Sequence, residues 1–253
     1  MNKVFGNTAT IWTSSTAQAL GLESAVHLSE EEIALSRRLK QVDDRDRFLG
    51  ARALLRHALS ETLNGEIDPE AWAYREGPNG KPVMAPELPQ VEFNISHAGD
   101  CVAVGVSTSG PIGVDIECAV PDDRLEIVSD ALSEREFEHL NQQMDELKWE
   151  TFLQFWTIKE ACAKALGIGA ALDFRELEVA FNPPRVVAPK GLLGTSEAFI
   201  IESRSILVDQ CPYCLSIAKI TKATGETLFC FKPPTNDHVA QSDDTEIGKV
   251  SGH

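Results

Sequence analysis

Residues 91–118 read VEFNISHAGDCVAVGVSTSGPIGVDIEC, and here the apolar pattern of the chain takes a period of two. Apolar and polar residues alternate over 91–97, which predicts a strand that is buried on one face. Residues 101–106 carry no polar side chain except the Cys thiol, which predicts a strand buried on both faces. A Ser-Gly-Pro turn leads into a third strand over 112–118, so 101–118 is predicted to form a hairpin with a short loop.

Helical patterns lie on both sides of these strands. Residues 29–60 predict one helix beginning at Ser29, because Glu32 three positions later completes a capping box. A second capping box at 133–136 begins another helix. The remaining elements are predicted to be a stronger helix over 149–166 that Gly167 ends, and strands over 175–182 and 195–220.

Helices followed by strands therefore occur twice along the chain. This order predicts an α+β protein built from two similar halves, residues 1–108 and 109–232. Residues 233–253 contain almost no large apolar side chains, so we expect a disordered tail there.

The overall charge limits the classes of partner. With 39 acidic and 23 basic side chains the chain carries a formal net charge of −16, which is unfavourable for binding nucleic acid or an anionic membrane. The sequence shows no signal-peptide pattern and no apolar run of about 18 residues, so we expect a cytoplasmic protein. The six cysteines are expected to be buried, reduced thiols, although Cys211-Pro-Tyr-Cys214 leaves a redox pair or half a zinc site open.

Two carboxylates lie two residues apart in the third strand. Asp115 and Glu117 point to one face, about 6.5–7 Å apart along the strand, while Val114 and Ile116 point to the other. Oxygen-only ligands favour Mg²⁺. The alternative is the solvent-facing edge of an amphipathic strand.

A second constellation lies on the predicted helix over 149–166. Trp156, Glu160 and Lys164 are spaced four apart and lie opposite its apolar face. Glu160 and Lys164 could be an ordinary surface ion pair, which contributes about 0.2–0.5 kcal/mol. The large aromatic ring of Trp156 on that face instead indicates a face partly covered by a ligand or by the other half.

Phosphate-binding candidates come from two further places. Ser96 and His97 end the first strand and could simply form a capped turn. A nucleophilic pair is disfavoured, because adjacent side chains on an extended chain point apart. Both side chains could, however, donate hydrogen bonds to a phosphate. The segment 37–56 is a basic island in an acidic chain, and its cationic side chains are Arg37, Arg38, Lys40, Arg45, Arg47, Arg52 and Arg56. A solvated helix face would have the same composition.

Taken in order, these motifs resemble one family, the 4′-phosphopantetheinyl transferases of the large, surfactin-synthetase-associated class. The resemblance spans most of residues 37–169. Its pieces are Arg47-Phe-Leu-Gly-Ala-Arg-Ala-Leu-Leu-Arg56, Gly80-Lys81-Pro82, Phe93-Asn-Ile-Ser-His97, Gly113-Val-Asp-Ile-Glu117 and Trp156-x-x-Lys-Glu-Ala-x-x-Lys164-x-x-Gly-x-Gly169.

The resemblance implies two pseudo-symmetric α/β halves with coenzyme A bound in the cleft between them. It implies Mg²⁺, or Mn²⁺ with the same ligands, and makes coenzyme A the co-substrate. The implied roles are metal binding by Asp115, Glu117 and Glu160; 3′-phosphate binding by Arg47 and His97; a place near the adenine for Lys81; diphosphate contacts from Ser96 and Lys164; and catalysis by Glu160, Lys164 and Asp115.

The implied reaction moves 4′-phosphopantetheine to a serine of an apo acyl or peptidyl carrier protein and releases adenosine 3′,5′-bisphosphate, with the enzyme acting as a monomer. Glu160 would accept the serine proton, act as a metal ligand, or do both. Ala34 and Glu31 stand where relatives often have phosphate-binding lysines, and Ala98 replaces a frequent serine. Two other functions stay open on the residues alone: a Mg²⁺-dependent phosphohydrolase of coenzyme A or a nucleotide, and a non-catalytic module that binds coenzyme A or a carrier.

Overall fold

The computed structural model of the chain describes residues 8–22, 27–120, 131–169, 172–181, 184–189, 191–222, 226–232 and 246–251. Its helices are α1 (Thr16–Gly21), α2 (Glu30–Ser36), α3 (Val42–Thr62), α4 (Glu134–Asn141) and α5 (Asp145–Leu166), with short 3₁₀ turns over Pro69–Ala71, Pro78–Gly80 and Phe174–Glu176. Its strands are β1 (Thr8–Ser15), β2 (Tyr74–Glu76), β3 (Pro82–Met84), β4 (Glu92–Ala98), β5 (Cys101–Ser107), β6 (Ile112–Cys118), β7 (Glu178–Ala180), β8 (Arg185–Val187), β9 (Glu197–Val208), β10 (Cys211–Lys222), β11 (Glu226–Lys232) and β12 (Glu246–Ser251).

Two sheets form the centre of the molecule. The first has five strands in the order β12-β11-β1-β5-β4, and the second has three in the order β6-β10-β9. β11 runs parallel to β1, and the other described pairs are antiparallel. The pairs β2-β3 and β7-β8 form small separate ribbons.

The layers follow from three apolar clusters. One joins α3 to the first sheet through side chains such as Leu55 and Val104. A second joins α5 to the second sheet through Ile158 and Ala218, among others. The third lies between the two sheets, where Val114 is fully buried. The order of layers is therefore helix, sheet, sheet, helix, and the predicted α+β fold is confirmed.

The helix ends follow their sequence signals. Ser29 Oγ accepts from the Glu32 amide and the Glu32 carboxylate accepts from the Ser29 amide, so this capping box is confirmed. The same reciprocal pair forms between Ser133 and Glu136. α5 ends at Gly167, whose φ of 68° lies in the left-handed region.

The single helix predicted over 29–60 is wrong, because the chain folds back between α2 and α3. The side chains of Glu32 and Arg56 are buried and form an ion pair at 2.8 Å. One straight helix would hold these residues about 36 Å apart, since each residue adds about 1.5 Å. The ion pair also removes Arg56 from the basic island that was considered for anion binding.

The hairpin predicted over 101–118 is also wrong. β5 already pairs on both edges, with β1 and β4, while β6 pairs with β10 in the second sheet. The turn between β5 and β6 therefore carries the chain from one sheet to the other, and the two strands meet face to face across the central apolar layer. The apolar residues on both faces of β5 correctly predicted that the strand is buried. They did not show that its partners are β1 and β4 and not β6.

The end of the chain departs from the sequence expectation in two ways. β11 was assigned to the second half, but it adds to β1 in the first sheet. Residues 246–251 were expected in a disordered tail, but they form β12 on the edge of β11. Strand pairing uses backbone groups, so a segment poor in apolar side chains can still extend a sheet. The rest of the expected tail lies outside the described residues.

In the parts of the chain that the structure describes, no helix is long and apolar enough to span a membrane.

Candidate functional site

β6 pairs with β10 along one edge, and along its other edge side chains form hydrogen bonds with its backbone. We call this edge, residues 112–116, the β6 edge. Asn94 Oδ1 accepts from the Val114 amide at 2.9 Å, and Ser96 Oγ accepts from the Ile116 amide at 3.3 Å. On the carbonyl side, Lys164 Nζ donates to Val114 O at 3.2 Å. Residues from β4 and α5 thus replace a neighbouring strand and hold β6 in place.

Asp115 lies at the centre of this arrangement and is only 5% exposed. Its Oδ1 accepts from Lys164 Nζ at 2.6 Å and from Ser96 Oγ at 3.0 Å, and Lys164 Nζ also lies 3.0 Å from Ser96 Oγ. Its Oδ2 is buried and has no hydrogen-bond partner in the described part of the chain. A buried carboxylate oxygen without a partner is costly, so this atom is suited to a cation.

The electrostatics of Asp115 also favour a cation. Burial raises the pKa of Asp115 to about 6, and this outweighs the nearby Lys164, whose positive charge lowers it. Glu117 and Glu160 raise the Asp115 pKa further. Burial also raises the pKa of Glu160 above its ordinary value. Three carboxylates near one ammonium leave a net negative site that a divalent cation would stabilise.

These donors fit Mg²⁺ by chemistry, since all of them are oxygens. Within the described ranges, however, no three His, Cys, Asp or Glu side chains are already close enough together to hold an ion. The Lys164 ammonium neutralises Asp115 instead. Side-chain movement at Lys164, Glu117 or Glu160 would therefore accompany metal binding.

Two cavities adjoin one another here, and we call them together the cleft; the larger is lined by the first half alone, and the smaller lies between the halves. The smaller, of about 290 Å³, is lined by Ile95, Ser96, His97, Asp115, Ile116, Glu117, Trp156, Glu160 and Lys164. The larger, of about 420 Å³, is lined by Leu39, Asp44, Arg47, Phe48, Ala51, Arg52, Pro82, Phe93, Asn94, Ile95 and His97. Ile95 and His97 line both, so β4 is the wall that the two cavities share.

The larger cavity contains part of the basic island. Arg47 and Arg52 line it. Arg47 pairs with Asp44 at 2.5 Å and donates to Gly99 O at 3.3 Å. Burial lowers the pKa of His97, and the positive charges of Arg47 and Lys164 lower it further, which favours the neutral ring. The exposed Arg37, Arg38 and Lys40 line neither cavity.

Lys81 was expected near the adenine end, but it lines neither cavity. Its Nζ lies 3.5 Å from Ile112 O, at the β6 edge, and 3.8 Å from the Glu92 carboxylate. Asn79 in the same turn donates to Gly167 O at 2.8 Å. This turn therefore joins the two halves beside the cleft.

Trp156 packs against Phe152 and Phe174, with ring centroids 6.2 Å and 5.6 Å away, and also lines the smaller cavity. The face of α5 that carries Trp156 was expected to be covered by a ligand or by the other half, but the rings that contact Trp156 belong to its own half. Asn94 was not singled out from sequence. The sequence did contain a signal for Asn94: it lies two positions before Ser96, so both polar side chains point to the same face of the strand.

Lys159 has a structural role that its neighbour Glu160 does not share. The Lys159 side chain is fully buried, pairs with Glu136 at 2.5 Å and donates to Ala131 O and Phe174 O. These contacts tie α5 to the start of α4. The lysine of the Lys-Glu pair therefore anchors the helix, and the glutamate faces the cleft.

We expect Lys159→Met to destabilise the protein by about 3–5 kcal/mol, because it leaves Glu136 buried without its partner. Urea unfolding measures this change. Lys148→Met is the matched control on the same helix; Lys148 pairs at the surface with Asp145, so its loss should cost about 0–1 kcal/mol. A Lys159→Met protein of full stability but without activity would contradict the structural role.

Comparison with known proteins gives a consistent result. A model described as "4'-phosphopantetheinyl transferase superfamily" matches residues 111–216, and one described as "4'-phosphopantetheinyl transferase, N-terminal" matches residues 10–109. A putative 4'-phosphopantetheinyl transferase, slr0495, of Synechocystis sp. is 34% identical over 231 residues, which are 88% of this chain and 92% of the relative. The 4'-phosphopantetheinyl transferase HetI of Nostoc sp. is 33% identical and covers 63% of this chain and 67% of its own length. A holo-(acyl-carrier-protein) synthase from Bacillus anthracis, solved with coenzyme A, is 18% identical with a TM-score of 0.35 and covers 44% of this chain and 96% of that chain.

Proposed function

The chain belongs to the 4′-phosphopantetheinyl transferase superfamily, and on that premise we propose how its cleft carries out the transfer. The enzyme moves 4′-phosphopantetheine from coenzyme A to a carrier protein. Family membership favours this reaction over the phosphohydrolase and the non-catalytic module. The observation that carries the site assignment is the buried Asp115 Oδ2, which lacks a partner among the described residues. Asp115 lines the smaller cavity together with Glu117 and Glu160.

Asp115, Glu117 and Glu160 are the residues that would hold Mg²⁺, with Mn²⁺ as a substitute. When bound, the cation stabilises negative charge that develops on the phosphate oxygens. The support from this chain is the oxygen-only donor set, the unpartnered oxygen of Asp115 and the surplus of negative charge in the smaller cavity.

The larger cavity would bind the adenosine and 3′-phosphate end of coenzyme A. Arg47 supplies a fixed positive charge there, and the neutral His97 ring can donate one hydrogen bond. The diphosphate would lie at the shared wall, beside Ser96 and Lys164. We therefore propose that residues 1–108 mainly bind coenzyme A and that residues 109–232 supply the metal and catalytic groups.

The reaction begins when the carrier serine attacks the phosphorus next to pantetheine, and Glu160 accepts the hydroxyl proton. Burial raises the pKa of Glu160, which makes its carboxylate a stronger base. The bond from that phosphorus to the bridging oxygen breaks, and adenosine 3′,5′-bisphosphate leaves with the electron pair. Lys164 stabilises the leaving oxygen and can protonate it, because its ammonium lies in the same cavity.

The central experiment is a transfer assay by mass spectrometry with coenzyme A, Mg²⁺ and apo acyl or peptidyl carriers. We expect each carrier to gain one phosphopantetheine and to gain nothing in EDTA. Glu160→Gln should slow transfer by about 10²-fold, because Gln accepts no proton. Glu146→Gln is the matched control, since Glu146 is exposed in the first turn of the same helix. Hydrolysis of coenzyme A without modification of any carrier would refute the transferase.

We also expect light scattering to show that the protein is a monomer.

Arg47→Ala should raise the KM for coenzyme A by about 10-fold or more, because a hydrogen bond to a charged group is worth about 1.5–3 kcal/mol. The Mg²⁺ concentration for half-maximal rate should stay unchanged, since Arg47 lines only the larger cavity. Arg38→Ala, an exposed arginine outside both cavities, is the control. An equal KM in both variants would contradict the phosphate-binding role.

A further inference from the structure

Three cysteines meet at one end of the layer between the two sheets. Cys118 ends β6, Cys211 begins β10, and Cys101 begins β5. All three belong to or pack against the apolar cluster between the sheets. Cys214, the other cysteine of the Cys-Pro-Tyr-Cys sequence, is buried and contacts Thr157 under α5. Cys211 and Cys214 therefore do not form a redox pair with each other.

The thiols of Cys118 and Cys211 are 3.8 Å apart, sulfur to sulfur, and both residues are partly exposed. In the ladder between β6 and β10, Cys118 lies opposite Tyr213, so Cys211 is its diagonal neighbour on the same face. The Ala119 amide donates to Pro212 O at 2.8 Å and holds the two strand ends together. A disulfide needs the sulfurs at about 2.05 Å, so they must approach by about 1.7 Å.

Both cysteines lie at strand ends, where the backbone can make this shift. Cys211 follows the two-residue turn Asp209-Gln210, and both turn residues have positive φ, at 47° and 66°. Cys118 is the last residue of β6, directly after Glu117. Diagonal neighbours lie about 7–8 Å apart, whereas a disulfide holds its Cα atoms within about 6.8 Å, so closure draws the strand ends together. A shift of the Cys118 backbone also moves Glu117, whose side chain points to the opposite face of the strand.

We propose that Cys118 and Cys211 are a reversible redox site, in which a disulfide between them displaces Glu117 and weakens metal binding. The oxidant is a peroxide. One sulfur attacks a peroxide oxygen, the O–O bond breaks, water leaves and a sulfenic acid remains. The second sulfur attacks that sulfenic sulfur, the S–S bond forms and a second water leaves. In sum, two thiols lose two hydrogens and two electrons, and one H₂O₂ becomes two waters. A dithiol reverses the step by exchange.

The two cysteines are separate from the larger cavity, which would bind the adenosine and 3′-phosphate end of coenzyme A. Arg47 lies on α3 and His97 on β4, in the first half. The cross-link instead joins two strands of the second sheet. Oxidation should therefore change the Mg²⁺ requirement and leave the metal-free affinity for coenzyme A, to which Arg47 contributes in the larger cavity, unchanged. This effect rests on the proposed role of Glu117 as a metal ligand.

The full-length protein treated with H₂O₂ should lose the mass of two hydrogens, and peptide mapping without reductant should join Cys118 to Cys211. We expect the Mg²⁺ concentration for half-maximal transfer to rise by about 10-fold or more and to return to its initial value with dithiothreitol. Calorimetric titration of Mg²⁺ should show the same weakening without any carrier present, while titration of coenzyme A in the absence of metal should not change.

Cys211→Ser should form no cross-link and keep its transfer rate in peroxide, whereas Cys230→Ser, a cysteine on β11, should behave like the wild type. A link from Cys211 to Cys101, an absent link, or a Cys118–Cys211 link with unchanged Mg²⁺ binding would each overturn the proposal. If the reduced protein transfers no phosphopantetheine, the proposed function fails. The mass change on oxidation and the Mg²⁺ titration would still decide whether the two cysteines form a redox site.

Discussion

Asp115→Asn should slow phosphopantetheine transfer by about 10²–10³-fold and at the same time raise the thermal stability of the protein. The loss follows because Asn keeps the hydrogen bonds at Oδ1 but carries no charge for a cation. The gain follows from burial, which raises the pKa of Asp115 from 3.8 to about 6 in the folded state. A carboxyl group with a raised pKa stabilises the fold below pH 3.8, and this contribution is lost as the pH rises through about 6.

At pH 7 the charged Asp115 therefore destabilises the fold, and the neutral Asn removes up to about 3 kcal/mol of that cost. Calorimetric melting at pH 5 and pH 7 measures this cost as a change in the free energy of unfolding. The difference in that free energy between wild type and variant should be larger at pH 7. Asp145→Asn is the control, since Asp145 is exposed and pairs at the surface with Lys148. A less stable, inactive Asp115→Asn protein would refute the assignment, because loss of activity would then follow from unfolding.

Gly113→Ala should destabilise the protein by at least about 3 kcal/mol and abolish transfer. A Cβ atom at Gly113 would overlap Ala161 O and lie 2.5 Å from the Ala165 amide nitrogen, so it meets the backbone of α5 and no flexible side chain. The helix would have to move away from β6. Glu160 and Lys164 lie on the same turns of α5 and would move with it.

Urea unfolding and the transfer assay measure the two effects of this substitution. Gly21→Ala is the matched control, because no atom lies within 4 Å of its added Cβ and the residue ends α1. It should be neutral or stabilise by about 0.4–1 kcal/mol. A stable, active Gly113→Ala protein would show that α5 does not need its close contact with β6.

Local signals in the sequence predicted local structure well. The capping serines, Ser29 and Ser133, and the terminating Gly167 depend on contacts within a few residues, so the sequence contains all the information they need. The pairing of β5 and β6 depends on which strand edges other segments occupy. The competing partners of these two strands are β1, far upstream, and β10, far downstream. No pattern inside residues 101–118 shows this competition.

The site divides in the same way. Side chains two or four residues apart on one element, such as Asp115 with Glu117 and Glu160 with Lys164, could be paired from spacing alone. That Lys164 also meets Asp115 depends on how α5 crosses β6, and the small Gly113 decides that crossing. Lys159 and Glu160 are adjacent in sequence, yet one is buried in an ion pair and the other faces the cleft. Helix geometry predicts their divergence, but only the fold shows which side holds the cavity.

The β6 edge also determines whether the halves could exist apart. Its amides at Val114 and Ile116 bond to Asn94 and Ser96, which belong to the other half. A truncated chain beginning near residue 109 would expose these amides as a bare strand edge, and such edges recruit strands from other molecules. We therefore expect the separated C-terminal half to self-associate or aggregate, while the intact chain, in which covalent linkage supplies the edge partner from within, does not.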